Sequence, residues 1–141
     1  RKLLTTAVDN TYSLSMKRIS SLLFGLLLFT LLGSFAFAQE VVDVTDSDAE
    51  IKEISVTNEG FDFIPKEIRV NVGDRIRLTY ENGGGFHDWV LDEFDAATSQ
   101  MTGGNSETLE FVADEAGSFE FYCSVGNHRA RGMWGEFIVV E

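Results

Sequence analysis

The chain has 141 residues, which allows one domain of ordinary size, and its 23 acidic against 11 basic residues give a net charge of −12. This acidic surplus argues against nucleic acid or an anionic membrane surface as the main partner, because both require a basic face. The single cysteine excludes an internal disulfide framework and any zinc site built on several thiolates.

The N-terminal region has the pattern of a secretory signal peptide. Residues 16–38 begin with a basic stretch, continue through an apolar run and end in small residues, with cleavage expected after Ala38. An uncleaved membrane anchor is the alternative reading. Residues 1–15 are expected to be an upstream extension without a function. Cleavage would leave residues 39–141, with 7 basic and 22 acidic residues, in the periplasm or outside the cell.

The remainder predicts an all-β domain over residues 51–141, preceded by an acidic linker at residues 39–50. Apolar and polar residues alternate in short runs separated by glycine- and asparagine-rich turns, which favours an antiparallel β-sandwich of about seven to eight strands. The runs lie at residues 54–56, 68–72, 76–80, 89–91, 108–112, 119–123 and 136–140. Residues 92–106 lack a strand pattern and predict a short helix or an irregular flap.

Four residues are the candidates for a metal-binding site. Cys123, His128 and Met133 follow one another as C-x4-H-x4-M on one predicted loop before the last strand. His87 lies 36 residues before Cys123, at the head of another predicted strand. Because strand ends meet at the rim of a sandwich, we expect these side chains to converge.

This donor set selects among metals. Two imidazoles, a thiolate and a weak axial thioether are the ligands of a blue-copper site. A structural zinc site requires four strong ligands, and calcium and magnesium require oxygen ligands. The residues therefore predict one mononuclear copper that alternates between Cu(I) and Cu(II). Met101 is the alternative axial ligand to Met133.

The same segments resemble a known family. Residues 117–128 and 132–135 resemble the copper loop of the plastocyanin/azurin (cupredoxin) family, residues 85–88 its first-histidine segment and residues 72–74 its early turn. The resemblance covers residues 51–141. It implies a Greek-key β-sandwich that holds one type 1 copper and shuttles electrons.

By position, the resemblance assigns a role to each donor. His87, Cys123 and His128 would be the trigonal ligands and Met133 the long axial ligand. The carbonyl group of Phe86 would lie on the opposite axial side.

The resemblance also implies that Asp88 and Ser124 tie the two ligand segments together. Many relatives have asparagine at the position of Asp88, and a proline often precedes the second histidine, where this chain has Asn127. The four-residue gap between the cysteine and the second histidine resembles azurins and auracyanins more than plastocyanins.

Together these features predict an exported, monomeric electron-transfer protein that is not an enzyme. His128 is expected to be the electron port, with Arg129 and Arg131 making its surroundings positive. The expected partners are redox proteins, for example a c-type cytochrome or a membrane electron-transfer complex, with no small-molecule substrate and no nucleic acid.

The alternative function is a periplasmic copper carrier or storage protein that uses the same ligands. A thiol hydrolase built on Cys123 is less consistent with a cysteine on a core-facing strand. A copper oxidase or reductase would need a second copper site, for which the chain has no further histidine.

Overall fold

The computed structural model describes residues 40–141, in which β-strands are the main regular structure. Eight of the twelve strands in this part of the chain have three residues or more, and four have two. The strands are β1 (Val41–Asp43), β2 (Ile51–Glu59), β3 (Asp62–Ile64), β4 (Glu67–Asn71), β5 (Arg75–Glu81), β6 (Phe86–His87), β7 (Val90–Leu91), β8 (Ala96–Ala97), β9 (Met101–Thr102), β10 (Ser106–Val112), β11 (Gly117–Tyr122) and β12 (Trp134–Val140).

Two main sheets contain ten of these strands. One has the order β1-β4-β12-β11-β7-β8 and the other the order β10-β5-β2-β3, while β6 and β9 form a small third sheet. The β architecture expected from the sequence is confirmed. The pairing is mixed, because β1 with β4, β4 with β12, and β2 with β5 run parallel. Alternation specifies which face of a strand is buried but not the direction of its neighbour.

The core lies between the inward faces of the two main sheets. Along β2 and β5 every second side chain is buried, as the period of a strand requires. Full burial of one such apolar side chain contributes about 1.5–3 kcal/mol. The largest fully buried side chains are Trp89, Tyr80, Phe63, Phe121 and Phe137.

The structure describes residues 40–50 of the predicted acidic linker, and this part contains a strand. Its residues Val41–Asp43 form β1, an edge strand that pairs with β4. The ammonium group of Lys52, only 5% exposed, donates to the carbonyl of Ser47 and lies 3.7 Å from a carboxylate oxygen of Asp74. Two adjacent valines in an acid-rich stretch are too short a run to predict this strand.

The predicted signal segment at residues 16–38 and the extension at residues 1–15 lie outside the described residues. Within residues 40–141 the structure contains no helix that is long and apolar enough to cross a membrane. The predicted flap at residues 92–106 contains a 3₁₀ turn at Asp92–Phe94 and the two-residue strands β8 and β9.

Candidate metal centre

Cys123 directly follows β11 and is 1% exposed. Its backbone N–H donates to the carbonyl of Met133 over 3.1 Å, which continues the ladder between β11 and β12 for one more pair. The two ends of the loop at residues 124–132 are therefore next to each other, because the flanking residues Cys123 and Met133 are paired. This closure holds the loop that carries His128 against the end of the strand.

His87 lies in β6, where it pairs with Met101 of β9. Its Nδ1 lies 3.8 Å from the Sγ of Cys123. The glycine-rich stretch before it has a direct structural reason: a Cβ added to Gly85, at φ +85°, would lie 2.6 Å from Nε2 of the imidazole. The Nδ1 of the same imidazole faces the sulfur of the cysteine.

His128 begins a 3₁₀ turn at Arg129–Arg131. Its carbonyl accepts hydrogen bonds from the backbone of Arg131 at 3.0 Å and of Met133 at 3.1 Å. Its Nδ1 lies 3.1 Å from Nδ1 of His87 and 3.5 Å from Sγ of Cys123. His128 is partly exposed, whereas the other two side chains are buried.

The three donor atoms fit one metal ion. All lie within 4.8 Å of one another. Metal–nitrogen bonds of about 2.0 Å and metal–sulfur bonds of about 2.3 Å place neighbouring ligand atoms about 3–4 Å apart. Met133 is fully buried and is bonded through its backbone to both Cys123 and His128. The four residues together therefore form a candidate copper site.

The protonation states of the donors follow from their burial. Burial lowers the pKa of His87, and the neighbouring His128 lowers it further, so its imidazole is disposed to be neutral. Burial raises the pKa of the Cys123 thiol. A thiol of this kind is a poor free nucleophile, which counts against the hydrolase alternative. A metal that binds the sulfur must displace the thiol proton.

Asp88 joins the two ligand segments. Its Oδ1 accepts a hydrogen bond of 2.7 Å from the backbone N–H of Ser124, and its Oδ2 accepts from the Ser124 hydroxyl. Asp88 is buried, 3% exposed, although it carries a charge. Phe86, on the other side of His87, has an exposed side chain. The segments that contain His87 and Cys123 are thus hydrogen-bonded to each other through Asp88 and Ser124, the residues that directly follow the two ligands.

Two residues beside the site carry no signal in the sequence. The ring of Phe61 contacts both imidazoles, with centroid distances of 4.8 Å to His128 and 5.9 Å to His87. Asn58, 2% exposed, donates to the carbonyl groups of Gly60 and Gly84. Phenylalanine and asparagine are common in strands and turns, so only the turn at Gly60 could be recognised beforehand.

The two arginines beside His128 have different surroundings. Arg129 makes an ion pair of 2.6 Å with Glu120 and lies 4.0 Å from the centroid of the Tyr122 ring. Arg131 lies 3.7 Å from the centroid of the Phe61 ring. Of the two arginines expected to make the surroundings of His128 positive, Arg129 is paired with a carboxylate, so Arg131 is the stronger source of positive charge there.

Comparisons with known proteins show which family the chain resembles. A family model described as cupredoxin-like domain matches residues 23–139. Halocyanin of Natronomonas pharaonis is 33% identical over 105 residues, covering 69% of this chain and 61% of halocyanin. The chain therefore spans about three fifths of the length of that relative. Plastocyanin of Sambucus nigra is 34% identical over 89 residues, covering 55% of this chain and 86% of that plastocyanin.

A solved structure agrees with these relatives. Auracyanin of the photosynthetic bacterium Roseiflexus castenholzii superposes with a TM-score of 0.58 at 25% identity, covering 64% of this chain and 98% of auracyanin. Cupredoxin homologues bind one copper, and this chain places two imidazoles and a thiol within 4.8 Å, with Met133 buried beside them. The chain belongs to the cupredoxin-like domain family and is homologous to halocyanin, plastocyanin and auracyanin, which are blue copper proteins.

Proposed function

We propose that this protein carries single electrons between redox partners by means of one type 1 copper bound by His87, Cys123, His128 and Met133. The observation that carries the proposal is the convergence of three donor atoms, two Nδ1 and one Sγ, at separations of 3.1, 3.5 and 3.8 Å. When bound there, copper supplies one-electron chemistry by alternating between Cu(I) and Cu(II). The thioether of Met133 would supply the fourth and weakest donor.

The contribution of the chain is to hold the donors in one geometry for both oxidation states. The β-ladder fixes Cys123, the pairing of β6 with β9 positions His87, and the 3₁₀ turn orients His128. Groups that are already in place need little rearrangement when one electron arrives or leaves. This supports rapid electron transfer rather than chemical turnover.

His128 is the port in this proposal. It is the most exposed of the three clustered donors, since His87 and Cys123 are 4% and 1% exposed. Exposed apolar side chains flank the ligand segments at Phe86 and Trp134, and such side chains can exclude water when a partner docks. A donor protein would pass one electron through this edge, and an oxidised acceptor would later remove it.

The partner, the compartment and the absence of catalysis are parts of the proposal. The N-terminal pattern supports an exported protein in the periplasm or outside the cell. Suitable partners are redox proteins, such as a c-type cytochrome or a membrane electron-transfer complex. Both histidines of the chain lie in one cluster, so no histidine remains for a second copper site that could reduce a substrate.

The purified protein loaded with Cu(II) provides the test. We expect an intense visible sulfur-to-copper absorption band and the narrow copper hyperfine splitting of a type 1 site in the EPR spectrum. Cys123→Ser should abolish the band, because a hydroxyl cannot replace the thiolate. Met133→Leu should keep the band but shift the reduction potential, whereas Met101→Leu, the matched control, should change neither.

Two results would contradict the proposal. A band that survives Cys123→Ser would show that this sulfur is not a ligand. A protein that passes copper rapidly to an acceptor chelator, but is not reversibly reduced and reoxidised with copper in place, would be a copper carrier instead.

A further inference from the structure

One aromatic side chain outside the four candidate ligands, that of Phe61, contacts both histidines. Phe61 lies in the turn between β2 and β3, in the sheet opposite the one that contains β11. It is partly buried and packs against the hydrophobic core. Its ring therefore reaches the site from the other side of the sandwich.

The ring meets both imidazoles edge to face. The interplanar angles are 74° with His128 and 86° with His87, at centroid distances of 4.8 Å and 5.9 Å. Edge-to-face pairs at such distances are attractive beyond their buried area. A single apolar ring thus packs against both imidazoles.

Arg131 lies over the ring of Phe61. Its guanidinium lies 3.7 Å from the centroid of the Phe61 ring, which is a cation–π contact. The other six basic residues among residues 40–141 each have a carboxylate within 4.0 Å, whereas Arg131 forms no ion pair in this region. The guanidinium of Arg131 therefore interacts with the Phe61 ring and not with a carboxylate of residues 40–141.

The turn that contains Phe61 is stabilised by hydrogen bonds from Asn58. The buried amide of Asn58 donates to the carbonyl of Gly60 over 3.2 Å and to the carbonyl of Gly84 over 3.3 Å. One side chain therefore joins the Phe61 turn to the glycine-rich loop before His87. The ring and the imidazole that it contacts share a common support.

We propose that Phe61, held by Arg131, is a positioning residue that keeps both imidazoles in their metal-binding orientation and thereby slows the release of copper. This inference rests on the copper site of the proposed function. Release requires an imidazole to rotate away from the metal. That rotation is the path that the Phe61 ring opposes, because the ring packs against both imidazoles. Loss of the ring should open that path while leaving all four donors in the chain.

The experiment measures release of Cu(I) from the loaded protein to an excess of bicinchoninate, a Cu(I)-selective chelator. Phe61→Ala should release copper about tenfold faster than the unsubstituted protein, and Phe61→Leu, which keeps apolar bulk, should lie between the two. Phe94→Ala is the matched control. Phe94 is also partly buried against the core, but its ring contacts are with Phe111, Phe119 and Phe137.

A second pair of variants tests the arginine. Arg131→Ala should accelerate release, and Arg131→Lys should do so less, because an ammonium can still lie on the ring. Arg129→Ala removes the neighbouring arginine, which stacks on Tyr122, and should leave the release rate unchanged.

A spectroscopic measurement separates positioning from a general loss of stability. In the diamagnetic Cu(I) protein, imidazole protons near the Phe61 ring should carry a ring-current shift in the NMR spectrum. Phe61→Leu should remove that shift, and Phe94→Ala should keep it. Release from Phe61→Ala and Phe61→Leu at the rate of Phe94→Ala would overturn the inference. Failure of the unsubstituted protein to form a type 1 copper site would instead overturn the proposed function on which it rests.

Discussion

Asp88 accepts two hydrogen bonds from Ser124, one from its backbone N–H and one from its hydroxyl, and so bonds the segment of His87 to the segment of Cys123. The carboxylate is nearly inaccessible to solvent. Its charge has two consequences, because it strengthens the hydrogen bonds and places a negative charge beside the candidate copper site.

Asp88→Asn is expected to raise the reduction potential of the copper. The amide oxygen can still accept from Ser124, but the negative charge that favours Cu(II) over Cu(I) is lost. The expected shift is on the order of tens of millivolts, measured by redox titration. Asp114→Asn, at an exposed position before β11, makes the same change in net charge and should leave the potential nearly unchanged. A potential that falls in Asp88→Asn would contradict this role.

The buried amide of Asn58 is expected to be a main support of the first-histidine loop. It accepts from the hydroxyl of Tyr80 at 2.8 Å and from the N–H of Gly83 at 3.1 Å, in addition to its two donated bonds. Asn58→Ala should lower the free energy of unfolding by about 2–4 kcal/mol, because buried polar groups lose their partners. Urea unfolding measures this. Tyr80→Phe, which removes one bond, should cost about 1 kcal/mol.

Asn127→Ala is the control for this prediction, since Asn127 is exposed in the ligand loop. Its free energy of unfolding should change by less than about 0.5 kcal/mol. Equal effects of Asn58→Ala and Asn127→Ala would contradict the support role.

The sequence predicts much of the fold because alternation is strong where one face of a strand is buried. The runs around Leu78 and Phe121 correspond to β5 and β11. The parallel pairing of β4 with β12 could not be derived in this way, since it depends on how distant strands cross between sheets. The sequence does not predict β1 for a related reason. Its three residues show no clear alternation, and the strand forms because it pairs with β4.

The candidate site was predictable to the extent that its residue types are rare. The chain has two histidines and one cysteine, so their spacing could be interpreted without an alignment. Phe61 and Asn58 could not be found in this way. They belong to common residue types, and their importance comes from contacts with residues more than twenty positions away in the chain.

Arg131 should determine how charged redox reagents react at His128. It is the cation near the port that has no carboxylate partner within residues 40–141. Arg131→Gln should slow the oxidation of the reduced protein by ferricyanide about two- to threefold at low salt, because an anion loses a nearby attractive charge. Stopped-flow kinetics at increasing salt should show the difference shrinking as charges are screened.

Arg75→Gln makes the same change in net charge at the first residue of β5. The last residue of that strand, Glu81, precedes the glycine-rich loop that leads to His87, and it lies roughly 20 Å from Arg75 at 3.3 Å per residue. The ferricyanide rate of this variant should stay close to that of the unsubstituted protein. Equal slowing by both variants would mean that the net charge, and not the surroundings of His128, sets the rate.

Removal of the metal should lower the thermal stability of the protein, and the size of the loss should depend on Cys123. A ligand that binds only the folded state stabilises it by about 4 kcal/mol when its concentration is a thousand times its dissociation constant. We therefore expect the copper-loaded protein to unfold at a clearly higher temperature than the metal-free protein, as measured by calorimetry. Cys123→Ser should reduce this difference, because the variant lacks the sulfur donor. If loading and removing copper left the unfolding temperature of the unsubstituted protein unchanged, the three donors within 4.8 Å could not be acting as a metal site in the folded chain.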